Sequence, residues 1–347
     1  MPSMLSQPLL GLDIASDAVR FVELSASRKQ LTVVQADSEP LGRSVGGDAA
    51  QGDFSPISEA IRRMLQRSRV RTRAVASALP GSSVIVKIIS LPSGMRDEVI
   101  EDQIRYEGQQ YIPFPMDQVN FDFSVLGTDP ERKGYQQILL VASKRDHVED
   151  RAAILESAGL KPKIIDIRQF SLWGLYTHLY PGDATCKSNI VLVEIGGLSS
   201  ALHVFERGQP VYSRDHNFGA ARLIDRIVQH FGLTEEDAQR MQRFGGLPAG
   251  YEQQVLKPFV VETGREILRA LDFFQASMPD IHVDKVVLFG TGANLPGIGE
   301  QLAGFTVENP DPFQGMAIGP NVNERFLRDE RSSMAVACGL ALRRFGE

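Results

Sequence analysis

Two acidic residues, Asp13 and Glu194, each end a run of aliphatic residues and stand directly before a corner of small residues. After Glu194 the corner contains Gly196 and Gly197, and a second strand-like run then returns, as it does after Asp13. The tip of such a hairpin has little side-chain bulk, so its backbone N–H groups can approach a phosphate. A carboxylate beside the tip can hold the water shell of Mg²⁺. We therefore expect Asp13 and Glu194 to be metal-holding, catalytic carboxylates.

A third corner follows a run of buried type near the end of the chain. Residues 286–289 are V-V-L-F and lead into Gly290, Thr291 and Gly292, and a helix is expected to start at 296–299. Glycines at such a corner let the backbone pass close to a flat ligand or a phosphate, although a tight strand-to-helix turn has the same pattern. Because the two acidic hairpins are alike, we expect two related half-domains that face one cleft.

In chain order, the motifs D-I-A-S, E-I-G-G and G-T-G-A-N-L-P-G resemble the two phosphate motifs and the adenosine motif of the actin-like ATPase superfamily. Three further segments, at 78–92, 101–115 and 159–167, resemble the PilM family of type IV pilus assembly. The likeness covers nearly the whole chain. The segment Y-I-P-F-P at 111–115 is its most specific part, because general actin-like proteins lack it.

The resemblance implies an α/β, actin-like (ribonuclease H-like) fold with two halves around a nucleotide cleft. It also implies an FtsA-type small inserted α+β domain. We expect the first half at 1–82, 167–188 and 326–347, the inserted domain at 83–166, and the second half at 189–325, with 218–280 as its smaller subdomain. The inserted domain is expected to be a β-α-β-β-α-β unit. A small-residue helix at 332–344 would cross between the halves, opposite the helix that starts at Gly219.

The resemblance further implies ATP and Mg²⁺ as cofactors. The residues expected to bind nucleotide are Ser16, Arg20, Gly196, Gly197, Ser199, Glu266, Arg269, Gly290, Thr291, Gly292 and Asn294. Glu266 and Arg269 lie three residues apart on one face of a predicted helix, a spacing at which actin-like ATPases hold the ribose and the adenine edge. A surface ion pair has the same spacing, so both interpretations stay open.

Three departures from the family pattern bear on hydrolysis. Ala15 and Arg20 stand where Gly and Lys are usual, and a Cβ at position 15 is costly where the backbone needs a positive φ or close phosphate approach. Glu194 is one methylene longer than the usual Asp, and a misplacement of this size can lower a rate by ~10²-fold. The usual Thr after the second corner has no clear match, and Ser199 or Ser200 stands in its place. We expect nucleotide binding with weak or absent hydrolysis.

For a partner, the resemblance implies a PilN-like inner-membrane protein that is held through a short N-terminal peptide. The groove would lie between the first half and the inserted domain, with Tyr106, Tyr111, Ile112 and Phe114 as contacts. Self-association is left open. The alternatives are an actin-like ATPase of a related secretion or cell-division system, and a scaffold that has lost nucleotide binding. A sugar kinase or chaperone-type ATPase is disfavoured because no substrate-binding acid is recognisable.

A basic stretch at 62–73 contains six arginines. It has two interpretations. It is either a solvated face at the end of a helix or a contact for acidic lipid headgroups or an acidic partner.

Length and composition bound the class of protein and its location. The 347 residues suffice for several packed domains, and the net charge of −6 gives no overall basis for nucleic-acid binding. Cys186 and Cys338 are too few for a disulfide framework or a metal set. No apolar run approaches the roughly 20 residues of a transmembrane helix, and the N-terminus lacks the pattern of a signal peptide. The expected location is the cytoplasm, at the inner face of the inner membrane.

Overall fold

The computed structural model describes residues 8–27, 30–42, 53–183 and 188–345, so Cys186 lies outside the described residues. The strands are β1 (Leu10–Ile14), β2 (Ala18–Ser27), β3 (Gln30–Pro40), β4 (Ala74–Leu79), β5 (Val84–Pro92), β6 (Val119–Thr128), β7 (Tyr135–Lys144), β8 (Lys161–Ile167), β9 (Asn189–Ile195), β10 (Ser200–Glu206), β11 (Gln209–His216), β12 (Lys285–Phe289), β13 (Val307–Glu308) and β14 (Ala317–Ile318). The helices are α1 (Ser55–Arg67), α2 (Asp97–Glu107), α3 (Arg145–Ser157), α4 (Arg168–Leu179), α5 (Arg222–Phe231), α6 (Glu235–Phe244), α7 (Lys257–Ser277), α8 (Glu324–Glu330) and α9 (Ala335–Leu342). In these ranges, no helix has the length and apolar character needed to cross a membrane.

The two large sheets share one topology. Their strand orders are β14-β3-β2-β1-β4-β8 and β11-β10-β9-β12-β13. Each contains an antiparallel meander of three consecutive strands, β1 to β3 or β9 to β11. Each then adds two parallel strands beside the first strand of its meander. The predicted architecture of two related α/β halves is therefore confirmed.

Helices α4 and α9 fill the core where the two halves meet. Leu172, Leu175 and Tyr176 of α4 are fully buried there with residues of both sheets. Helix α9 consists mostly of small residues, and these let it lie directly on α4. At Gly339 an added Cβ would stand 1.9 Å from the carbonyl oxygen of Ser171. This contact fixes the separation of the two helix backbones.

Helix α9 takes its main helical contact from α4. The small-residue helix was expected to cross between the halves, opposite the helix that follows Gly219, which is α5. In the structure α9 packs on α4, while Leu223, Ile224 and Ile227 of α5 form a separate core with α6 and the start of α7. An amphipathic stripe shows that a helix face is buried, but it does not identify the surface that buries it.

The inserted unit is smaller than expected. Its antiparallel sheet has the order β5-β7-β6, and α2 covers one face with Ile100 and Ile104. Helix α3 and strand β8, which the prediction of 83–166 included, pack instead in the first half. Strand β8 pairs with β4, and Ile154 and Leu155 of α3 share a core with α1. The local pattern of a helix and a strand does not specify which sheet the strand joins.

Two further segments contain turns that are not regular α-helix. The expected helix at 296–299 is a single 3₁₀ turn, Gly299–Leu302. Helix α7 is preceded by one π-helical turn, Glu252–Leu256. Its 21 residues carry Ile267, Leu271 and Phe274 into the core of the second half.

Part of the basic stretch is tied to the first sheet. Arg67 forms ion pairs with Asp37 and Glu39 of β3, and Arg63 also pairs with Glu39. Both arginines remain at least half exposed, so these pairs contribute little stability. The structure thus gives Arg63 and Arg67 partners within the chain.

The contact between α4 and α9 leads to a prediction. We expect Gly339→Ala to lower the free energy of unfolding by about 3 kcal/mol, because the new methyl group meets backbone that cannot rotate away. Urea unfolding at neutral pH measures the change.

Gly174→Ala in α4 is the matched control, because a Cβ at Gly174 meets nothing within 4 Å. This variant should gain about 0.5–1 kcal/mol from helix propensity. Equal stability of Gly339→Ala and the unchanged protein would contradict the close packing of α4 and α9.

Candidate functional site

The two acidic hairpins meet at one edge of the fold. Strands β1, β4 and β8 are parallel neighbours, so their carboxyl ends lie at the same edge. Asp13 is next to last in β1, and β8 runs directly into α4, whose first residue is Arg168. In the second half, Glu194 holds the equivalent place near the end of β9. The edge therefore collects two carboxylates and one guanidinium.

Arg168 binds both carboxylates. Its Nη1 donates to Asp13 and its Nη2 donates to Glu194 in short contacts. Its Nε also donates to Glu194 at 3.1 Å, and Nη2 lies 3.4 Å from the second oxygen of Asp13. The side chains of Asp13 and Glu194 are 2% and 9% exposed. A planar guanidinium fork thus ties the first half to the second through two carboxylates that are almost fully buried.

The pKa values agree with a tightly coupled ion cluster. Burial is the largest influence on Asp13 and raises its pKa, while the Arg168 charge opposes this rise. Burial also opposes the charged form of Arg168, but the Asp13 and Glu194 carboxylates outweigh it and raise the pKa of Arg168 above its ordinary value. Arg168 is therefore a permanent cation.

This arrangement does not fit a metal ion between Asp13 and Glu194. The guanidinium of Arg168 takes the space between the two carboxylates and uses their oxygens as acceptors. Mg²⁺ would need those oxygens or their waters at about 2.0–2.1 Å in octahedral geometry. Within the described ranges, no group of three or more His, Cys, Asp or Glu residues is placed to hold a metal ion.

A second ion pair lies at the tip of the first hairpin. Arg20 donates to Asp17 at 2.7 and 3.2 Å, and Thr291 of the second half donates to Asp17 at 3.1 Å. Burial by itself would raise the pKa of Asp17, but the Arg20 charge and the hydrogen bonds from Arg20 and Thr291 hold it below its ordinary value. Arg20, which was expected to bind a phosphate, is therefore already paired with a carboxylate of the protein.

The two hairpin tips touch each other. The backbone N–H of Leu198 donates to Ser16 Oγ at 3.1 Å. A Cβ at Gly197 would stand 2.4 Å from the Cβ of Asp17. Because Gly197 has no side chain, the side chain of Asp17 can pack directly against it. The glycine therefore makes room for Asp17 as well as leaving its own backbone accessible to a ligand.

A cavity of about 840 Å³ opens beside these tips, and we call it the cleft cavity. Of the expected nucleotide and metal residues, it is lined by Ser16, Glu194, Gly196, Gly197 and Ser199. The two serine alternatives are distinguished, because Ser200 is buried and donates to the carbonyl of Phe218 at 2.7 Å. Ser199 remains exposed at the cavity.

The expected adenosine residues serve packing and do not line the cleft cavity. At Gly290, whose φ is 91°, a Cβ would stand 2.6 Å from the carbonyl oxygen of Ile195. At Gly292 it would overlap the side chain of Ile195. Asn294 accepts a hydrogen bond from Ser332 at 2.8 Å. These glycines bring the third corner directly onto the end of β9.

Glu266 and Arg269 pair with each other on α7. The distance between Arg269 Nη1 and Glu266 Oε1 is 2.7 Å, and the side chain of Arg269 is 71% exposed. Neither residue lines the cleft cavity. Its geometry is that of a surface i,i+3 ion pair, which contributes little stability.

The backbone at Ala15 is unstrained. Among the described residues other than glycine, only Arg69 and Arg207 have positive φ. The backbone at position 15 therefore does not require a glycine. Its N–H donates to the carbonyl of Ala18 at 3.0 Å, which closes the turn of the first hairpin.

A model of the type IV pilus assembly protein PilM matches residues 11–345. The chain belongs to the PilM family. It is also similar to a solved PilM–PilN type IV pilus biogenesis complex, with 26% identity, a TM-score of 0.78, and coverage of 98% of this chain and 99% of that one. This match confirms the family and the actin-like fold that the motifs predicted.

More distant structures show the fold alone. The ethanolamine utilization protein EutJ from Carboxydothermus hydrogenoformans is 13% identical, with a TM-score of 0.55 over 97% of this chain and 89% of that one. Ta0583, an archaeal actin homologue, is 14% identical, with a TM-score of 0.50 over 98% and 99%. The two-half architecture is thus shared with actin homologues, whereas the pilus assignment comes from the PilM family.

The residues expected to form a partner groove do not all lie at a surface. Ile112 is in the core of the inserted unit, and Tyr111 and Phe114 are partly buried against that core. Tyr106 is 89% exposed. None of the four lines the cleft cavity. Changes at Tyr111 or Phe114 would therefore affect folding as well as any contact.

Arg168, Asp17 and His203 were not predicted as site residues from the sequence. A cation in the first turn of α4 opposes the helix dipole, and that mismatch was the available signal for Arg168. The available signal for Asp17 was its position three residues before Arg20, the cation that was expected to bind a phosphate. His203 lines the cleft cavity, is 1% exposed, and bonds Ser213 through Nδ1 at 2.8 Å. The alternation of inward and outward side chains along β10 does not by itself indicate these contacts of His203.

His203 generates a pH prediction. Burial lowers its pKa to about 4, whereas the unfolded chain keeps a value near 6.5. Below pH 6.5 the unfolded state binds a proton that the folded state refuses, so stability falls as the pH drops toward 4. Lowering the pH from 7 to 5 should therefore reduce the free energy of unfolding by about 2 kcal/mol through His203.

We expect His203→Asn to remove this part of the pH dependence, as measured by urea unfolding at both pH values. His282→Asn is the control, because His282 is exposed. An identical pH dependence in the unchanged protein and His203→Asn would show that His203 is not held neutral.

Proposed function

We propose that this protein is an adaptor of type IV pilus assembly. It holds the short N-terminal peptide of a PilN-like inner-membrane protein, and this contact keeps it at the inner face of that membrane. Its cleft takes ATP with little or no hydrolysis. Membership of the PilM family and similarity to the solved PilM–PilN complex support the pilus role and the kind of partner.

The observation that carries the partner proposal is an exposed apolar pair on α2. Val99 and Tyr106 are 42% and 89% exposed. They lie seven residues apart, so they share one helix face. An exposed tyrosine next to an aliphatic residue is typical of an interaction surface, because tyrosine supplies contact area at low cost in side-chain entropy.

The charge around this pair defines the partner chemistry. Two exposed acidic residues, Glu98 and Asp102, lie on the side of α2 that carries Val99 and Tyr106. We call the surface of Val99, Tyr106 and these acids the acidic face of α2. Cytoplasmic segments next to transmembrane helices carry an excess of Lys and Arg, and an N-terminal peptide adds its α-amino group. A cytoplasmic N-terminal peptide of a membrane protein therefore complements this face.

Two observations on the cleft bear on nucleotide binding. In its favour, Gly196, Gly197 and Ser199 line a cavity large enough for a nucleotide. Against hydrolysis, both acidic residues are occupied by Arg168, and the Nδ1 of His203 is already bonded to Ser213 of the neighbouring strand. The pairing of Asp17 with Arg20 favours the second candidate function, a scaffold that does not use nucleotide.

The partner proposal predicts the effect of Tyr106→Ala. The variant should weaken binding of a synthetic peptide with the cytoplasmic N-terminal residues of the PilN-like protein by about tenfold or more, because buried aromatic anchors dominate such contacts. Fluorescence anisotropy of the labelled peptide measures the affinity. The melting temperature should not change, since Tyr106 is 89% exposed.

Phe273→Ala is the matched control. Phe273 is also an exposed aromatic residue, at 48%, but it lies on α7 in the second half. The Phe273→Ala variant should bind the peptide with the same affinity as the unchanged protein. Unaltered affinity of Tyr106→Ala, or an equal loss in Phe273→Ala, would remove the acidic face of α2 as the docking site.

The nucleotide proposal predicts the effect of Asp17→Asn. The change keeps the shape of the side chain beside Gly197, removes one negative charge, and frees Arg20. The affinity for ATP should rise by about tenfold, since one like charge next to the phosphates is lost. Titration of a fluorescent ATP analogue measures it.

Asp102→Asn is the control, because it removes the same charge from the exposed surface of α2. It should leave the affinity for ATP unchanged. If neither the unchanged protein nor Asp17→Asn binds ATP at millimolar concentration, the scaffold function replaces the nucleotide-binding one.

A further inference from the structure

The position of Arg168 follows from the fold. Strand β8 delivers the first residue of α4 to the edge where β1 ends, and the second sheet brings the end of β9 to the same place. Asp13 and Glu194 are equivalent residues of two similar hairpins. Arg168 has no equivalent in that repeat, because the second half has no long helix directly after β13. The cation therefore lies across the pseudo-symmetric acid pair.

The electrostatics of the two acids require a cation. Both carboxylates are nearly buried, and two neighbouring carboxylates without a counter-charge cannot both ionise. In actin-like ATPases this position suits a divalent metal, as the resemblance implies. Here the Arg168 side chain is 15% exposed, its guanidinium contacts all four carboxylate oxygens, and it carries the compensating charge itself.

The two ways of neutralising the acids are mutually exclusive. Arginine presents five N–H donors in a fixed planar fork. With Arg168 in place, the oxygens that would ligate Mg²⁺ or its waters accept hydrogen bonds instead. A metal ion could enter only if the Arg168 side chain left and carried a charge away from two buried acids.

We propose that Arg168 is a built-in cation that replaces the divalent metal of the cleft, so that the protein neither needs nor binds Mg²⁺ at Asp13 and Glu194. The inference deepens the proposed nucleotide role of the cleft and rests on it only for measurements with nucleotide. Any nucleotide bound in the cleft associates equally well with and without Mg²⁺.

The first test uses Mn²⁺ alone, observed by electron paramagnetic resonance during titration of the nucleotide-free protein. The unchanged protein should take up no Mn²⁺ at the cleft. Arg168→Met should bind one Mn²⁺ per chain, and Arg168→Met combined with Glu194→Gln should lose this site. Saturable binding of one Mn²⁺ to the unchanged protein that Glu194→Gln abolishes would overturn the proposal.

Thermal unfolding supplies an independent readout. Arg168→Met should lower the melting temperature by about 5–10 °C, because two buried acids lose their counter-charge. Mn²⁺ or Mg²⁺ should restore much of this loss in Arg168→Met and leave the unchanged protein unaffected. A merely structural role of Arg168 would give the loss without restoration by metal, and that result would count against the proposal.

A measurement on the unchanged protein keeps the test decisive if Arg168→Met does not fold. The affinity for a fluorescent ATP analogue is compared in Mg²⁺ and in excess EDTA. Equal affinities support the proposal, and an affinity more than tenfold higher in Mg²⁺ contradicts it. Absence of nucleotide binding in both solutions would defeat the proposed nucleotide role, while Mn²⁺ titration of the unchanged protein would still decide the role of Arg168.

Discussion

The ion cluster of Asp13, Glu194 and Arg168 is the interaction on which the arrangement of the two halves depends. Each acid comes from a different half, and both are almost out of contact with water. Two buried carboxylates that share one cation site repel each other when both are ionised. A guanidinium that donates hydrogen bonds to both supplies the compensating charge. The pair of Asp17 and Arg20, which also contacts Thr291, adds a second link between the halves. The cleft is thus balanced by charges of the protein itself.

The repeated sheet topology explains why the two acids meet and why a cation is available there. Equivalent strands of the two halves end at the same place, so any acid at that position in both halves will face its counterpart. The first half differs because α3, β8 and α4 follow the inserted unit, and this added length delivers Arg168. The inserted unit keeps its own core, and α2 therefore presents its outer face without any contribution from the cleft. The cleft and the acidic face of α2 are separate parts of one molecule.

The sequence predicted those features that depend on local pattern and on family motifs. The two hairpins, the glycine corners, the actin-like fold and the PilM family were all predicted from short segments. The role of Arg168 was not, because its partners lie 155 and 26 residues away and only the strand order brings them together. The assignment of α3 and β8 to the inserted domain was likewise not decidable locally. Gly290 and Gly292 were expected to face a ligand, yet the same absence of a side chain serves the packing of Ile195.

A built-in cation changes what could move the two halves. A ligand shifts a conformational equilibrium only by the difference between its affinities for the two states. In a cleft closed by a metal–nucleotide complex, loss of that complex removes the charge that holds the acids together. Here Arg168 remains covalently part of α4, so the acids stay neutralised with or without nucleotide. If Arg168 replaces the metal, a change in the relation of the halves is expected to come from a ligand that binds elsewhere and acts through the packed helices. The inserted unit is well placed for such an effect, because the backbone N–H of Ser82, just before β5, donates a hydrogen bond to Asp215 of the second half.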